Sequence, residues 1–173
     1  MIRKATSKDI DAITAIYDKV LSQEEQGQAC IGWQRGVYPT RHTALMALER
    51  GDLFVYVDND TVMATAIINQ KQVDAYALGH WNIKASDDEV MVLHTLVVSP
   101  QFAGRGIGRK MVAYYEQYAR EHGCKDLRID TQAKNKAARK LYSHLGFEEI
   151  GIVPCDFNGI PGIDLVLLEK GLV

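Results

Sequence analysis

The chain has 173 residues, 47% hydrophobic and 24% charged, with a formal net charge of -2. That is the composition of an ordinary globular domain with enough chain to bury a core, and it lacks the basic excess of a nucleic-acid-binding protein. No apolar run approaches the ~20 residues that span a bilayer, and the opening stretch MIRKATSKDI carries no apolar signal core. The cysteines, Cys30, Cys124 and Cys155, are odd in number and lack metal-ligand spacing. The expectation is reduced thiols in a cytoplasmic protein with no metal, no nucleic acid and no membrane among its partners.

In chain order, Ile2 to Ala5 reads as a short strand, and Thr6-x-x-Asp9 as a capping box. Ile10, Ile13, Ile16, Val20 and Leu21 recur at helical spacing. Gln23 to Gly36 is polar and reads as a loop. Thr40 caps a second helix with Ala44, Leu45, Ala47 and Leu48 on one face, and Gly51 stops it. Leu53 to Val57 and Val62 to Asn69 form a strand pair about Asp58-Asn59-Asp60. Gln72 to Leu78 reads as a further strand. Glu89 to Val98, EVMVLHTLVV, has the near-continuous apolar content of a central strand.

A helix follows to about His122 and is closed by Gly123. Leu127 to Thr131 is strand-like, and Asn135 to Leu145 is a helix with Gly146 just past its end. Phe147 to Val153 and Ile163 to Glu169 are two late strands, joined by a loop holding Pro154, Gly159, Pro161 and Gly162. No linker or repeat interrupts this order. It predicts one domain, 1–173, of α/β (α+β) class.

The stretch from Ser99 to Lys110, SPQFAGRGIGRK, lies between the central strand and a helix. Gly104, Gly106 and Gly108 cost backbone entropy and build no core. They do let a ligand approach the first N–H groups of the helix, which have no internal partner and sit at the positive end of its dipole. With Arg105, Arg109 and Lys110 alongside, these are the parts of a phosphate cradle. A Walker loop does not fit, because Met111 follows Lys110. The dinucleotide fingerprint does not fit either, because a single residue separates Gly106 from Gly108.

Gln101-x-x-Gly104-x-Gly106 does match a third loop. It resembles the acyl-CoA pyrophosphate loop of the GNAT superfamily of N-acetyltransferases, and His94 to Pro100 resembles the strand that leads into it. Asn135-x-x-Ala138-x-x-Leu141-Tyr142-x-x-x-Gly146-Phe147 is similar to the second signature of that superfamily. The resemblance implies a mixed, mostly antiparallel sheet of about six to seven strands flanked by about four helices. It implies acetyl-CoA as cosubstrate and direct attack of an amine on the thioester. The pantetheine arm is expected along Leu96, Val97 and Val98, and the pyrophosphate around Gln101, Gly104, Arg105, Gly106, Ile107, Gly108 and Arg109. Asn135 is expected to bond the acyl-CoA or simply to cap its helix. Tyr142 is expected to protonate the departing thiolate as general acid.

Three residues stand open as the base that deprotonates the amine: Glu89 and His94 level, then Asp130. Glu89 and His94 fall on opposite faces of a regular strand, a parity that a bulge would break. Trp33 and Tyr38 are candidates to wall the acceptor pocket, with Tyr76 and Trp81 behind them, and Glu24 and Glu25 to draw a cation or end a solvated helix. The acceptor is expected to be a small-molecule or peptide amine, and the resemblance allows a homodimer through the late loop. The competing reading is a non-catalytic CoA-binding sensor, which needs neither Tyr142 nor a base. Transfer to a hydroxyl, or of a longer acyl group, is the third.

Overall fold

The computed structural model describes residues 1–172. Its strands are β1 (Ile2–Lys4), β2 (Leu53–Asp58), β3 (Thr61–Asn69), β4 (Val90–Val98), β5 (Asp126–Gln132), β6 (Glu148–Phe157) and β7 (Ile160–Gly171). Its helices are α1 (Ile10–Glu25), α2 (Arg41–Arg50), α3 (Ile107–Glu121) and α4 (Lys136–His144). One seven-stranded sheet runs in the order β1-β2-β3-β4-β5-β7-β6. Every pairing is antiparallel except β4 with β5.

The local signals act as the sequence predicts. The Thr6 N–H donates to the Asp9 carboxylate at 2.7 Å, and Arg3 pairs with the same carboxylate at 2.8 Å. Thr40 caps α2, and Gly51 ends it with φ 76. Gly123 and Gly146 follow α3 and α4 at φ 72 and 85, a conformation that costs glycine little.

Two predicted elements differ. Gln72 to Leu78 is no strand: Asp74–Leu78 is a 3-10 turn. The side chain of Asn69 accepts the Lys71 N–H at 2.9 Å, a local turn that lifts the chain off the sheet, where β2 and β4 already occupy both edges of β3. The predicted loop from Pro154 to Gly162 is mostly strand, because β6 and β7 form a long hairpin that turns at Asn158 and Gly159, with φ 52 and 76. Asn-Gly is the strongest short hairpin signal. Pro154 is tolerated because β6 is an edge strand, and Pro161 because β7 meets β5 only from Leu165 onward.

Helices α1 and α2 pack on one face of the sheet against Val55, Ile67 and Val97. Helices α3 and α4 cover the other face, over Phe54, Met91, Leu93 and Ile129. From α3, the buried Tyr115 hydroxyl donates to the Met91 carbonyl at 2.6 Å and lies 3.1 Å from that of Arg128. It therefore ties β4 to β5 just before the two strands part.

Candidate active site

Strands β4 and β5 pair from Val90↔Asp126 to Leu93↔Ile129 and no further, although β4 continues to Val98 and β5 to Gln132. On its other side β4 stays paired with β3, but the register steps from Ile67↔His94 to Thr65↔Val97. One extra β4 residue is absorbed there, and Thr95 sits at φ 49. This is a bulge, and it bends the strand away from its neighbour. A cleft of about 260 Å³ fills the gap. The backbone from Thr95 to Val98 lines it and is free of β5.

The glycine loop opens beside this cleft. Gly104 and Gly106 have φ 75 and 73, and a Cβ at either would meet nothing within 4 Å. Gly108 differs, because a Cβ there would touch Leu141 at 3.4 Å, so its role includes packing α3 on α4. Among the described residues, the N–H groups of Gly104 to Arg109 find no acceptor in the protein. Among the described residues Arg105 and Arg109 form no ion pair, and Arg105 lies 5.3 Å from the Phe102 ring centre. Gln101 is exposed and accepts from Lys19 at 3.1 Å.

Three predicted groups converge on the cleft from different elements. Tyr142, from α4, is 6% exposed and edge-on to Phe147. Its hydroxyl makes no hydrogen bond among the described residues, and burial and the Asp130 carboxylate both hold its pKa above the ordinary value. Asp130, near the end of β5, receives the Tyr76 hydroxyl at 2.8 Å on one oxygen. Burial pushes it up to about 6, opposed only by that hydrogen bond. Asn135 caps α4 by accepting the Ala138 N–H at 3.2 Å, and its amide nitrogen has no protein partner. Capping and binding are therefore compatible in this residue.

His94 also lines the cleft, held from behind by a chain of hydrogen bonds. Arg50 pairs with Asp52 at 2.8 Å, Asp52 accepts from Asn69 Nδ2 at 2.8 Å, and Asn69 Oδ1 lies 2.9 Å from His94 Nε2. Because Asn69 Oδ1 also accepts from Lys71, it can only be an acceptor, so Nε2 carries the histidine proton and Nδ1 the lone pair. Burial lowers the His94 pKa to about 4, against the pull of Asp52, and the ring is neutral at neutral pH.

Glu89 is not brought to this cleft. Its carboxylate caps the turn before β4 by accepting the Ser86 N–H at 3.0 Å, and it pairs with Lys125 at 2.7 Å. The lysine, then the serine, lower its pKa to about 2. The bulge follows His94, so it does nothing to the Glu89–His94 parity. Glu24 and Glu25 also have structural partners: Glu24 accepts the N–H groups of Ile31 at 2.6 Å and Gly32 at 2.9 Å, and Glu25 pairs with Arg35 at 2.8 Å.

Trp33 and Tyr38 do wall the cleft, edge-on with ring centres 6.0 Å apart, and the Tyr38 hydroxyl is bonded to Thr95. Tyr76 and Trp81 stand behind the wall. Tyr76 orients Asp130, and Trp81 donates to the Tyr76 carbonyl at 2.8 Å. Sequence reasoning missed Asn69, Gln132, Phe157 and Asn158. The Asn-Gly hairpin signal would have placed the last two on a tip able to reach the cleft.

Residues 15–147 match the model of the acetyltransferase (GNAT) family. The chain belongs to that family. An N-acetyltransferase of Methanocaldococcus jannaschii, itself uncharacterised, is 28% identical over 88% of this chain and 62% of its own length. The chain thus spans less than two thirds of that relative. A GNAT-family acetyltransferase of Streptococcus agalactiae superposes with TM-score 0.83 at 21% identity, over 100% of this chain and 95% of its own. The yncA protein of Salmonella typhimurium, solved with its cofactor acetyl-CoA, gives 0.70 at 22% identity, over 100% and 94%. These likenesses show a GNAT fold, with its mixed sheet of seven strands and four helices. No helix among the described residues is long and apolar enough to cross a membrane.

Proposed function

We propose that this GNAT protein is an acetyl-CoA-dependent N-acetyltransferase acting by direct attack of an amine. The observation that carries the reading is the gap between β4 and β5, which opens onto free N–H groups at one end and the unpartnered Tyr142 hydroxyl inside.

The chain's own residues fit the cosubstrate. The N–H groups from Gly104 to Arg109, at a helix N-terminus with no Cβ in the way at Gly104 and Gly106, suit a pyrophosphate. The free β4 edge from Leu96 to Val98 suits the amide groups of a pantetheine arm, as an added strand would. The free amide of Asn135 faces the same space. Bound there, acetyl-CoA supplies a thioester carbon open to a nucleophile.

An amine arrives as an ammonium and must lose a proton before it can attack. Asp130 takes that proton: it lines the cleft, is held by Tyr76, and is raised to about 6, near the working pH. His94, at about 4, is the poorer base and presents a neutral lone pair instead. Tyr142 holds a proton at Oη that no protein acceptor shares, ready for a departing sulfur. A sensor module needs neither the tuned Asp130 nor the free Tyr142 hydroxyl.

Calorimetric titration of acetyl-CoA into wild type and Gly106→Asp tests the cradle. Binding to wild type and its loss in the variant support the reading, and no binding to wild type removes its foundation.

A further inference from the structure

The acceptor side of the cleft has a definite chemistry. From the N-terminal side Trp33 and Tyr38 close it, and from the β6–β7 hairpin Phe157 and Ile160 do so. Among the described residues Asp130 is the one acidic side chain that lines it, and no lysine or arginine does. The arginines nearby are engaged elsewhere. Arg128 pairs with Asp126 at 2.8 Å and lies 4.0 Å from the Trp81 ring centre, Arg50 is held by Asp52, and Arg35 by Glu25. His94 adds no cation, because its ring is neutral with its proton turned toward Asn69.

The rims of the cleft meet. Val37, beside Tyr38, reaches the hairpin tip, where a Cβ built on Gly159 would lie 3.2 Å from Val37 Cγ1. The segment that carries Trp33 is pinned at its base. Glu24 holds the Ile31 and Gly32 N–H groups, and the buried amide of Gln132 donates to the Gly32 carbonyl at 3.0 Å. The depression that remains beside the joined rims, lined by Val73, Asp74, Leu78 and Asp156, lies outside the cleft.

We infer that the acceptor is a small amine with a single positive charge, an apolar or aromatic body and no carboxylate. The ammonium pairs with Asp130, and the body lies between Trp33, Tyr38 and Phe157. This rests on the transferase reading and narrows it. An amino acid would bring a carboxylate into a cleft whose lining offers it no cation. A polyamine would bring a second ammonium that finds no second carboxylate within the cleft, since Asp74 and Asp156 stand outside it in the neighbouring depression. A lysine on a protein surface would have to pass the joined rims.

The test uses wild-type protein saturated with CoA and three amines, 2-phenylethylamine, phenylalanine and spermidine, with a lysine peptide added to the acetylation assay. Their binding is followed by calorimetry, and their acetylation is measured separately with acetyl-CoA. Phenylethylamine is expected to bind at least roughly 100-fold more tightly than phenylalanine, the scale of an unpaired buried charge. It is also expected to outcompete spermidine. In Asp130→Asn the preference over phenylalanine should collapse, because the repelling carboxylate is gone and the ammonium has lost its partner. Equal or tighter binding of phenylalanine or spermidine overturns the inference, as does preferential acetylation of a lysine peptide; both leave the transferase reading intact. Selective binding of phenylethylamine without acetyl transfer makes the amine a ligand and not an acceptor, and overturns the transferase reading together with the inference that rests on it. Binding of none of the three overturns the inference, and acetyl-CoA binding then decides the fate of the cradle separately.

Discussion

Burial raises the pKa of both Tyr142 and Asp130, and that gives them complementary uses. Tyr142→Phe removes one oxygen from an otherwise apolar contact with Phe147. It should lower kcat by about 100-fold, the lower end of what a positioned acid contributes, while acetyl-CoA affinity, read by calorimetry, stays near wild type. In the proposed mechanism Asp130 works as its carboxylate, which forms above about 6, so log kcat/KM should rise with pH through about 6 and level above it. Asp130→Asn should lose most of the rate and that limb together. Stability runs the other way. The native Asp130 keeps a proton that the unfolded chain releases near 4, so between about 4 and about 6 the fold loses stability as pH rises. Thermal melts of Asp130→Asn should show a smaller loss over that window than wild type. Tyr142 was legible from its place between Leu141 and Gly146-Phe147. Which candidate base the fold would favour was not, because Glu89, His94 and Asp130 are equally polar on paper. What separates them is which partner the fold supplies: Lys125 for Glu89, Asn69 for His94, Tyr76 for Asp130.

Most elements follow from short-range rules, and so they could be read. Thr6, Thr40 and Asn135 start helices, and Gly51, Gly123 and Gly146 end them. The Gln72–Leu78 error came from judging a segment by its residues when the sheet had no free edge to give it. The glycine loop is an element whose geometry and use coincide. Gly106→Asp should cost roughly 1 kcal/mol in stability from the positive φ alone. There is open space around the new Cβ, so the variant should still melt cooperatively while losing acetyl-CoA affinity. Tyr115→Phe probes the tie between the two parallel strands. It should cost about 1–3 kcal/mol in chemical denaturation, since a buried carbonyl loses its donor.

At the scale of the molecule, the cleft passes through the sheet between its two helical layers. The glycine loop belongs to the α3 side, and Trp33 and Tyr38 belong to the α1–α2 side. Two substrates can therefore be held together, and none of Cys30, Cys124 and Cys155 lines the space to carry an acyl group in between. Initial-rate plots against both substrates should intersect, as for a ternary complex, and a parallel pattern would contradict the arrangement. This division was only partly legible, because the gap depends on where β4 and β5 stop pairing, and no residue announces that point. The bulge at Thr95 has a consequence of its own. Along β4 it works like a change of phase: His94 and Val97 share the α1–α2 side, while Leu96 and Val98 pack toward α3. Removing this single residue would let Leu96, Val97 and Val98 pair regularly with β3 on the faces they already hold, and would take out the bend that keeps β4 off β5. The strand thus tolerates substitution far better than a shift in length, and the spacing from His94 to Gly104 is a ruler that sets both substrates against one another.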